Sequence, residues 1–576
     1  MGNAVYQEIA EDKVSKRANT FIIAALIAIC LFHIINNCLW IGKDVLSWYP
    51  EKYYQLIHKN TIFFSLESIL ASGQSLPEKI ISFLKSLNTD SGCGWGVIFY
   101  IYTACFNLAF GNSIGVSLAA NLPFFILLII FTFLIGKEIA GAKEGLFAAF
   151  LVSFYPGIYG MSRSYGVDFP LVAMVTVSIY ILIAKNVAKI RYSLLFGLVS
   201  GLTLLIKLPG AYFLIGPAVY IFFDRVRQVV KASPQNSCVN KHIFQVVFAS
   251  ALFAGISFLL LNFGWGSGRV EYVLNCVYSI NFPMFIERRH FYWVCPYNIG
   301  EWKSIFFYMF EAVHSMSRLL FLLFCAGSVL FLIKKIKYKM VILLWVIVPY
   351  IILMLSVNKW GRYYLPVFPA LALITAVGIF QIKEKKYRIF LVALAVFISF
   401  VQFYDLSFGA SFFPRVLYRH PAYSFTAYPP RQRLEGKIVA GFLKIINKEH
   451  KGLNYKPKVL FIAPHSHIDL GRMEYLFQTE AKNVEFTKFF MAGSGYEDCD
   501  YAIVLNDKAR RINYPDLAFL KIPGYYADFL KISYPQYSLT NEELAKMSEF
   551  FAKFEVVDYY FAGKTAFYLC KNNYKK

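Results

Sequence analysis

The sequence predicts a polytopic α-helical membrane protein that carries a smaller α/β domain in its C-terminal part. Three observations predict it. Of 576 residues, 57% are hydrophobic and 16% charged, where a soluble globular chain carries about a quarter charged residues. The hydrophobic residues fall in successive runs suited to crossing a bilayer, parted by short basic loops. From about Ser407 the runs shorten to strand length and alternate with helix-like stretches.

Lysine and arginine number 58 against 35 acidic residues, a net charge of +23. The excess sits mostly in the short loops, which marks it as topological bias rather than a face for nucleic acid. The ten cysteines include no Cys-x-x-Cys pair and no zinc spacing. Most lie in apolar runs, as Cys30, Cys105 and Cys325 do, and read as small buried hydrophobes. Cys499 and Cys570 lie in the polar C-terminal region and could pair outside the cytoplasm, a point the sequence leaves open.

The elements follow in order. Lys13, Lys16 and Arg17 precede an apolar run, Thr20 to Ile41. Its length suits a span, and it is too long for the core of a cleaved signal, so it reads as a signal anchor with the N-terminus in the cytoplasm. Trp48, Tyr49, Tyr53 and Tyr54 then form an interfacial belt. Thr61–Ala71 and Leu76–Leu87 have the spacing of amphipathic surface helices. Trp95–Phe110 is short and reads as a partly embedded helix within the outer loop.

Apolar runs from Val116 end at Lys137–Lys143, Arg163–Asp168 and Lys185–Arg191. Phe169–Ala184, Ser193–Ile206, Ala211–Phe223, Ile243–Phe263, Met316–Ile333, Met340–Val357, Tyr363–Phe380 and Ile389–Tyr404 continue the alternation. The total is about eleven spans, which leaves the C-terminus outside the cytoplasm. The division expected is a membrane domain over 1–406, with long outer loops at about 42–113 and 264–303, and a soluble domain over 407–576. That domain contains the strand-like runs Lys458–Ala463, Tyr501–Leu505 and Thr565–Leu569, and helix-like stretches at Gly436–Asn447 and Asn541–Phe554.

Charge at membrane depth is costly and therefore informative. Asp44, Arg163, Asp168, Lys207, Lys359 and Arg362 all fall at the outer ends of spans. Carboxylates and cations at one surface suit an anionic lipid headgroup and a base for an incoming nucleophile. Each also has a plainer reading. Asp168, just before Phe169-Pro170, could only cap a helix. Lys207, in a Lys-Leu-Pro-Gly turn, could snorkel. Arg163, Lys359 and Arg362 could be interfacial anchors, and Asp44 a solvated loop residue with Glu51 as a competing acid. His33 and His314 lie in or beside apolar runs and read as packed or interfacial. The second outer loop carries Arg269, Glu271, Glu287, Arg288, Arg289 and His290.

The order of motifs is more specific than any one of them. An acidic outer loop follows the first span. Then come Ser162-Arg163-Ser164-Tyr165-Gly166-Val167-Asp168-Phe169-Pro170-Leu171, Gly201-Leu202-Thr203-Leu204-Leu205-Ile206-Lys207, and Lys359-Trp360-Gly361-Arg362-Tyr363-Tyr364-Leu365-Pro366. From Thr20 to Phe380 this resembles the GT-C membrane glycosyltransferases, in the branch of protein O-mannosyltransferases and lipid A aminoarabinose transferases (ArnT-like). The resemblance implies a transferase that takes a sugar from a polyprenyl phosphate at the extracytoplasmic face of the plasma membrane, the periplasmic face in a Gram-negative cell. The acceptor would be a lipid, glycan or protein.

By the same resemblance Asp44 is the catalytic carboxylate, with Glu51 able to share or take the role. Asp168 is the acid of the arginine-and-aspartate motif and a further candidate for the catalytic carboxylate. Arg163, Lys207, Lys359, Arg362 and Tyr363 would hold the lipid phosphate. No cofactor and no obligatory metal is implied, since these cations could take the phosphate's charge. Two departures stand out. Val45 follows Asp44, where many members have paired acids, and the Trp-Trp-Asp motif of oligosaccharyltransferases is absent. A polytopic lipid or glycan transporter or flippase is the alternative, although such proteins more often show internal repeats and broken segments at mid-membrane. His465-Ser466-His467-Ile468-Asp469 resembles part of the metallo-β-lactamase metal motif, but Leu470 stands where that pattern has histidine.

Overall fold

The computed structural model describes residues 2–46, 53–89, 96–184, 189–232, 302–356, 359–410, 435–450, 457–462, 485–488, 499–506, 554–562 and 565–572. The chain forms two compact units, residues 1–42 with 58–430, and residues 43–57 with 431–576.

The first unit is helical. Its elements are α1 (Gly2–Leu46), α2 (Tyr53–Ala71), α3 (Leu76–Thr89), α4 (Val97–Phe110), α5 (Ile114–Ala119), α6 (Leu122–Ile139), α7 (Ala142–Phe154), α8 (Pro156–Ser162), α9 (Asp168–Ala184), α10 (Ile190–Ile206) and α11 (Gly210–Ala232). After residues outside the description come α12 (Trp302–Ile305), α13 (Phe307–Met316), α14 (Arg318–Ile333), α15 (Lys339–Met354), a 3₁₀ helix (Gly361–Val367), α16 (Phe368–Phe380) and α17 (Lys385–Phe408). Among the described residues four helices are long and apolar enough to cross a membrane, or six if each of two bent pairs is one span. The protein is thus a multi-pass membrane protein. The expected span Ile243–Phe263 and the charged residues of the second outer loop lie outside the described residues.

Two bends were not foreseen from the apolar runs. Between α7 and α8 the chain turns by 65° at Tyr155, where Pro156 opens α8 and cannot continue the hydrogen-bond ladder of α7. Between α13 and α14 it turns by 113° at buried Ser317, whose φ of 77° is left-handed.

Helices α9 and α16 are apolar around their whole circumference and are buried along nearly all their length. Helices of this unit approach one another through glycines. A β-carbon on Gly378 of α16 would overlap the carbonyl oxygen of Gly327 on α14, and one on Gly145 would overlap that of Phe133. Such close approach is how helices associate where lipid supplies no hydrophobic drive between them. The hydroxyls of Thr176, Thr203 and Thr375 donate to carbonyls four residues back, at 2.8 Å each, and so remain satisfied within apolar surroundings. His33 is buried between the rings of Phe125, Phe154 and Phe403.

The second unit holds a sheet of five strands in the order β2-β1-β3-β5-β4: β1 (Lys458–Ile462), β2 (Glu485–Lys488), β3 (Tyr501–Asn506), β4 (Phe554–Ala562) and β5 (Thr565–Asn572). β1, β2 and β3 are parallel, and β5 runs antiparallel to β3 and β4. Helix α18 (Glu435–Glu449) buries Phe442, Leu443 and Ile446 at helical spacing. At its end Glu449 accepts from Tyr501 Oη at 2.6 Å and Lys571 Nζ at 2.7 Å. The lysine's hydrogen bond, then the tyrosine's, holds the Glu449 carboxyl below its ordinary range.

The expected helix at Asn541–Phe554 lies outside the described residues except for Phe554, which opens β4. Cys499 and Cys570 are both buried, and no disulfide joins the two. The register sets Cys570 opposite Ala502, three residues from Cys499. Burial pushes the Cys570 thiol up to about 12.

Lys59 on α2 is buried, and its ammonium has a neutral partner, Asn112 Oδ1 at 2.8 Å. Desolvation lowers its pKa from 10.5 to about 7. Between those values the folded chain binds fewer protons here than the unfolded chain, so this group makes stability rise with pH by up to about 1.4 kcal/mol per unit. Asn112 keeps a second donor, Asn107 Nδ2 at 3.1 Å. Lys59→Met is therefore expected to raise the melting temperature in detergent near pH 7 and to flatten its rise between pH 7 and 10. Thermal melts of both proteins across that range check this.

Candidate functional site

The site begins at the junction of α8 and α9. After Ser162 the chain turns through buried residues and delivers Asp168 as the first residue of α9, where the helix N-terminus favours a carboxylate. Helix α10 ends at Ile206, and Lys207 follows in extended conformation, φ −163° and ψ 122°. The third contributor is the 3₁₀ helix, which carries Arg362 and Tyr363.

These three segments meet at one carboxylate. Lys207 Nζ lies 2.5 Å from Asp168 Oδ1, and Arg362 Nε 3.5 Å from Oδ2. Lys207 Nζ also sits 4.4 Å from the centroid of the Tyr363 ring. The Arg362 guanidinium lies over Trp360 at 4.8 Å and Tyr363 at 5.7 Å. The Asp168 side chain is 4% exposed, against 13% for Lys207 and 25% for Arg362. The anion is almost sealed, and the cations are partly exposed. Among the described residues, two cations meet one carboxylate here. Chemically the cluster can receive an anion without first ordering its own donors.

The other expected cations stand elsewhere. Arg163 is fully buried, donating from Nε to Asn37 Oδ1 at 2.8 Å and from Nη1 to Ser407 Oγ at 2.9 Å. Its guanidinium packs over Trp40, Tyr159 and Phe403 at 4.9 to 5.3 Å. It ties α1, α8 and α17 together. Lys359 Nζ donates to Leu353 O at 3.2 Å and to Met354 O, and so satisfies the last carbonyls of α15. Asp44 falls on the last turn of α1, and Glu51 lies outside the described residues.

Two contributors went unread in the sequence. Trp360 stood in the Lys-Trp-Gly-Arg run, where its stacking on Arg362 was available as a signal. Asn37 was masked by the apolar run around it, although Asn36-Asn37 is a polar pair at membrane depth. Among the described residues no three His, Cys, Asp or Glu side chains gather as a metal site needs. His465, His467 and Asp469 lie outside them.

Comparison with known proteins places this arrangement in context. Residues 97–254 match the model of a family described as dolichyl-phosphate-mannose-protein mannosyltransferase. No curated protein matches the chain. Among solved structures, ArnT from Cupriavidus metallidurans in its apo state matches at TM-score 0.52 and 11% identity, over 96% of this chain and 98% of that one. The same protein bound to undecaprenyl phosphate matches at 0.51 and 11%, over 95% and 97%. The archaeal oligosaccharyltransferase AglB from Archaeoglobus fulgidus, in complex with an inhibitory peptide and a dolichol phosphate, matches at 0.50 and 12%, over 97% and 75%. The chain has the GT-C fold.

Removing one member of a buried ion cluster strands its partner. Lys207→Met is expected to destabilise the protein by on the order of 3 kcal/mol. Asp168→Asn combined with it should restore part of that loss, because no buried carboxylate is then left. Denaturant unfolding in detergent of both single variants and the double variant measures the coupling.

Proposed function

We propose that this GT-C chain is a membrane glycosyltransferase that transfers a sugar from a polyprenyl-phosphate donor to an acceptor at the extracytoplasmic face of the plasma membrane. The observation that carries the reading is the Asp168 cluster, with its carboxylate almost sealed and Lys207 and Arg362 partly exposed beside Tyr363. The undecaprenyl phosphate bound by ArnT, a protein of this fold, supports the same ligand chemistry here.

In this reading the acceptor's hydroxyl or amine attacks the anomeric carbon, and the lipid phosphate leaves. Negative charge grows on the departing phosphate. Lys207 meets it as a point charge and Arg362 as a planar fork of donors. Asp168 holds both cations in place before the donor arrives, so little reorganisation is needed as charge develops. Asp44 accepts the nucleophile's proton, with Glu51 as the second candidate. A single displacement inverts the anomeric centre. Arg163 and Lys359 serve this reaction indirectly, by fixing the helices around the cluster.

The test is transfer from a panel of radiolabelled polyprenyl-phosphate sugars by the purified full chain, supplied with lipid, glycan and peptide acceptors. Wild type is expected to transfer from at least one donor. Asp44→Asn should lower kcat by roughly a hundredfold or more while still binding donor, the scale of a lost general base. Equal turnover in that variant would move the base to Glu51. Wild type that moves the lipid across vesicles and transfers nothing would replace this reading with transport.

A further inference from the structure

Glu311 lies on α13, behind the segment that delivers Arg362 and Tyr363. The residue is 6% exposed, and its Oε2 has no hydrogen-bond partner among the described residues. A buried carboxyl oxygen left without a partner costs free energy and calls for an explanation in its surroundings. What it touches is backbone. A β-carbon built on Gly361 would overlap Oε2 and lie 3.0 Å from the carboxyl carbon. Gly361 is not in a left-handed conformation. Glycine is therefore required at this position by space, and Glu311 is the group that takes the space.

The rest of α13 fits the same segment. Tyr308, one turn before Glu311, lies 5.5 Å from Tyr364 ring to ring and 6.0 Å beneath the Lys359 ammonium. Further along, Ser315 packs against Gly157 of α8. Residues 359 to 364 thus rest on α13 through Tyr308 and Glu311. Of those two supports, Glu311 stands directly beneath the residue that precedes Arg362.

We propose that Glu311 is a positioning residue of the site: its carboxyl, wedged behind Gly361, sets the turn from which Arg362 reaches Asp168 and Tyr363 covers Lys207, and so sets the grip on the lipid phosphate. The proposal rests on the reading of that cluster as a lipid-phosphate site. Its specificity is toward the donor. Displacing Arg362 and Tyr363 by about an ångström weakens capture of the phosphate and slows its departure, and shifts of that size cost up to a hundredfold in rate. The acceptor's own binding is untouched.

The experiment uses the full chain in detergent or nanodiscs, with undecaprenyl phosphate as the binding probe and the transfer assay as the kinetic one. Glu311→Ala is expected to bind undecaprenyl phosphate at least about fivefold more weakly and to raise the donor KM and lower kcat, with the acceptor KM and the melting temperature near those of wild type. Glu311→Gln, which keeps the shape, should recover most of the grip. Gly361→Ala should show the same donor defect, and adding Glu311→Ala to it should relieve part of the defect by removing the overlap.

Glu311→Ala matching wild type in donor binding and donor KM would overturn the proposal. So would equal losses in donor and acceptor KM alongside a fallen melting temperature, since a general structural role predicts that pattern. If Glu311→Ala gives no folded protein, the other variants decide. Gly361→Ala that binds the probe as wild type does refutes the wedge. Weakened binding there, with Glu311→Gln intact, upholds it. Wild type that neither binds undecaprenyl phosphate nor transfers would bring down the underlying reading of the site, an outcome distinct from all of these.

Discussion

The structure of this site depends on one carboxylate shared by two cations. Asp168 is almost sealed from solvent, and a charge in that position is tolerable only when neutralised and hydrogen-bonded. Lys207 donates a hydrogen bond to one oxygen, and Arg362 sets its charge beside the other. Each comes from a different part of the chain, so the ion cluster is also a tertiary lock. The ends of α9 and α10 and the 3₁₀ helix before α16 are held to one point. Among the described residues, the two cations are more exposed than the carboxylate they share.

The same physics explains why the other cations are absent from the cluster. In a helical unit packed for an apolar solvent, every buried charge must find partners nearby. Arg163 finds Asn37, Ser407 and three aromatic faces, and becomes the tie among α1, α8 and α17. Lys359 finds the open carbonyls that end α15. Both keep their charge in structural service. Lys207 and Arg362 instead have a carboxylate on one side and partial exposure on the other.

The helices of the first unit pack by close approach rather than by bulk. Glycines at 136, 145, 327 and 378 let neighbouring helices meet backbone to backbone, and the two bends, at Tyr155 and at Ser317, bring α8 and α13 against the segments that carry the site. Glu311 and Gly361 continue that pattern into the site itself, where a carboxyl takes the room that a side chain would otherwise fill. In the second unit the same economy is local: Glu449, Tyr501, His450 and Lys571 pin the end of α18 to the sheet.

By itself the sequence determined the class of protein, because length and apolarity of runs are local properties that a bilayer reads directly. The helices around Thr20–Ile41, Phe169–Ala184 and Ser193–Ile206, and three of the five strands, were legible for that reason. The charged motifs Asp168, Lys207 and Arg362 were legible as candidates, since charge at membrane depth is expensive wherever it falls. What only the tertiary structure decided was the pairing. Nothing in the spacing of Arg163 and Lys359 distinguishes a cation that ties helices from one that faces a ligand. Partner choice depends on which helix ends meet, and that is set by side-chain packing across hundreds of residues. The bend at Ser317, the short strand Glu485–Lys488 and the contact of Glu311 with Gly361 were hidden for the same reason: each is stabilised by neighbours remote in sequence and leaves no periodic trace in its own segment.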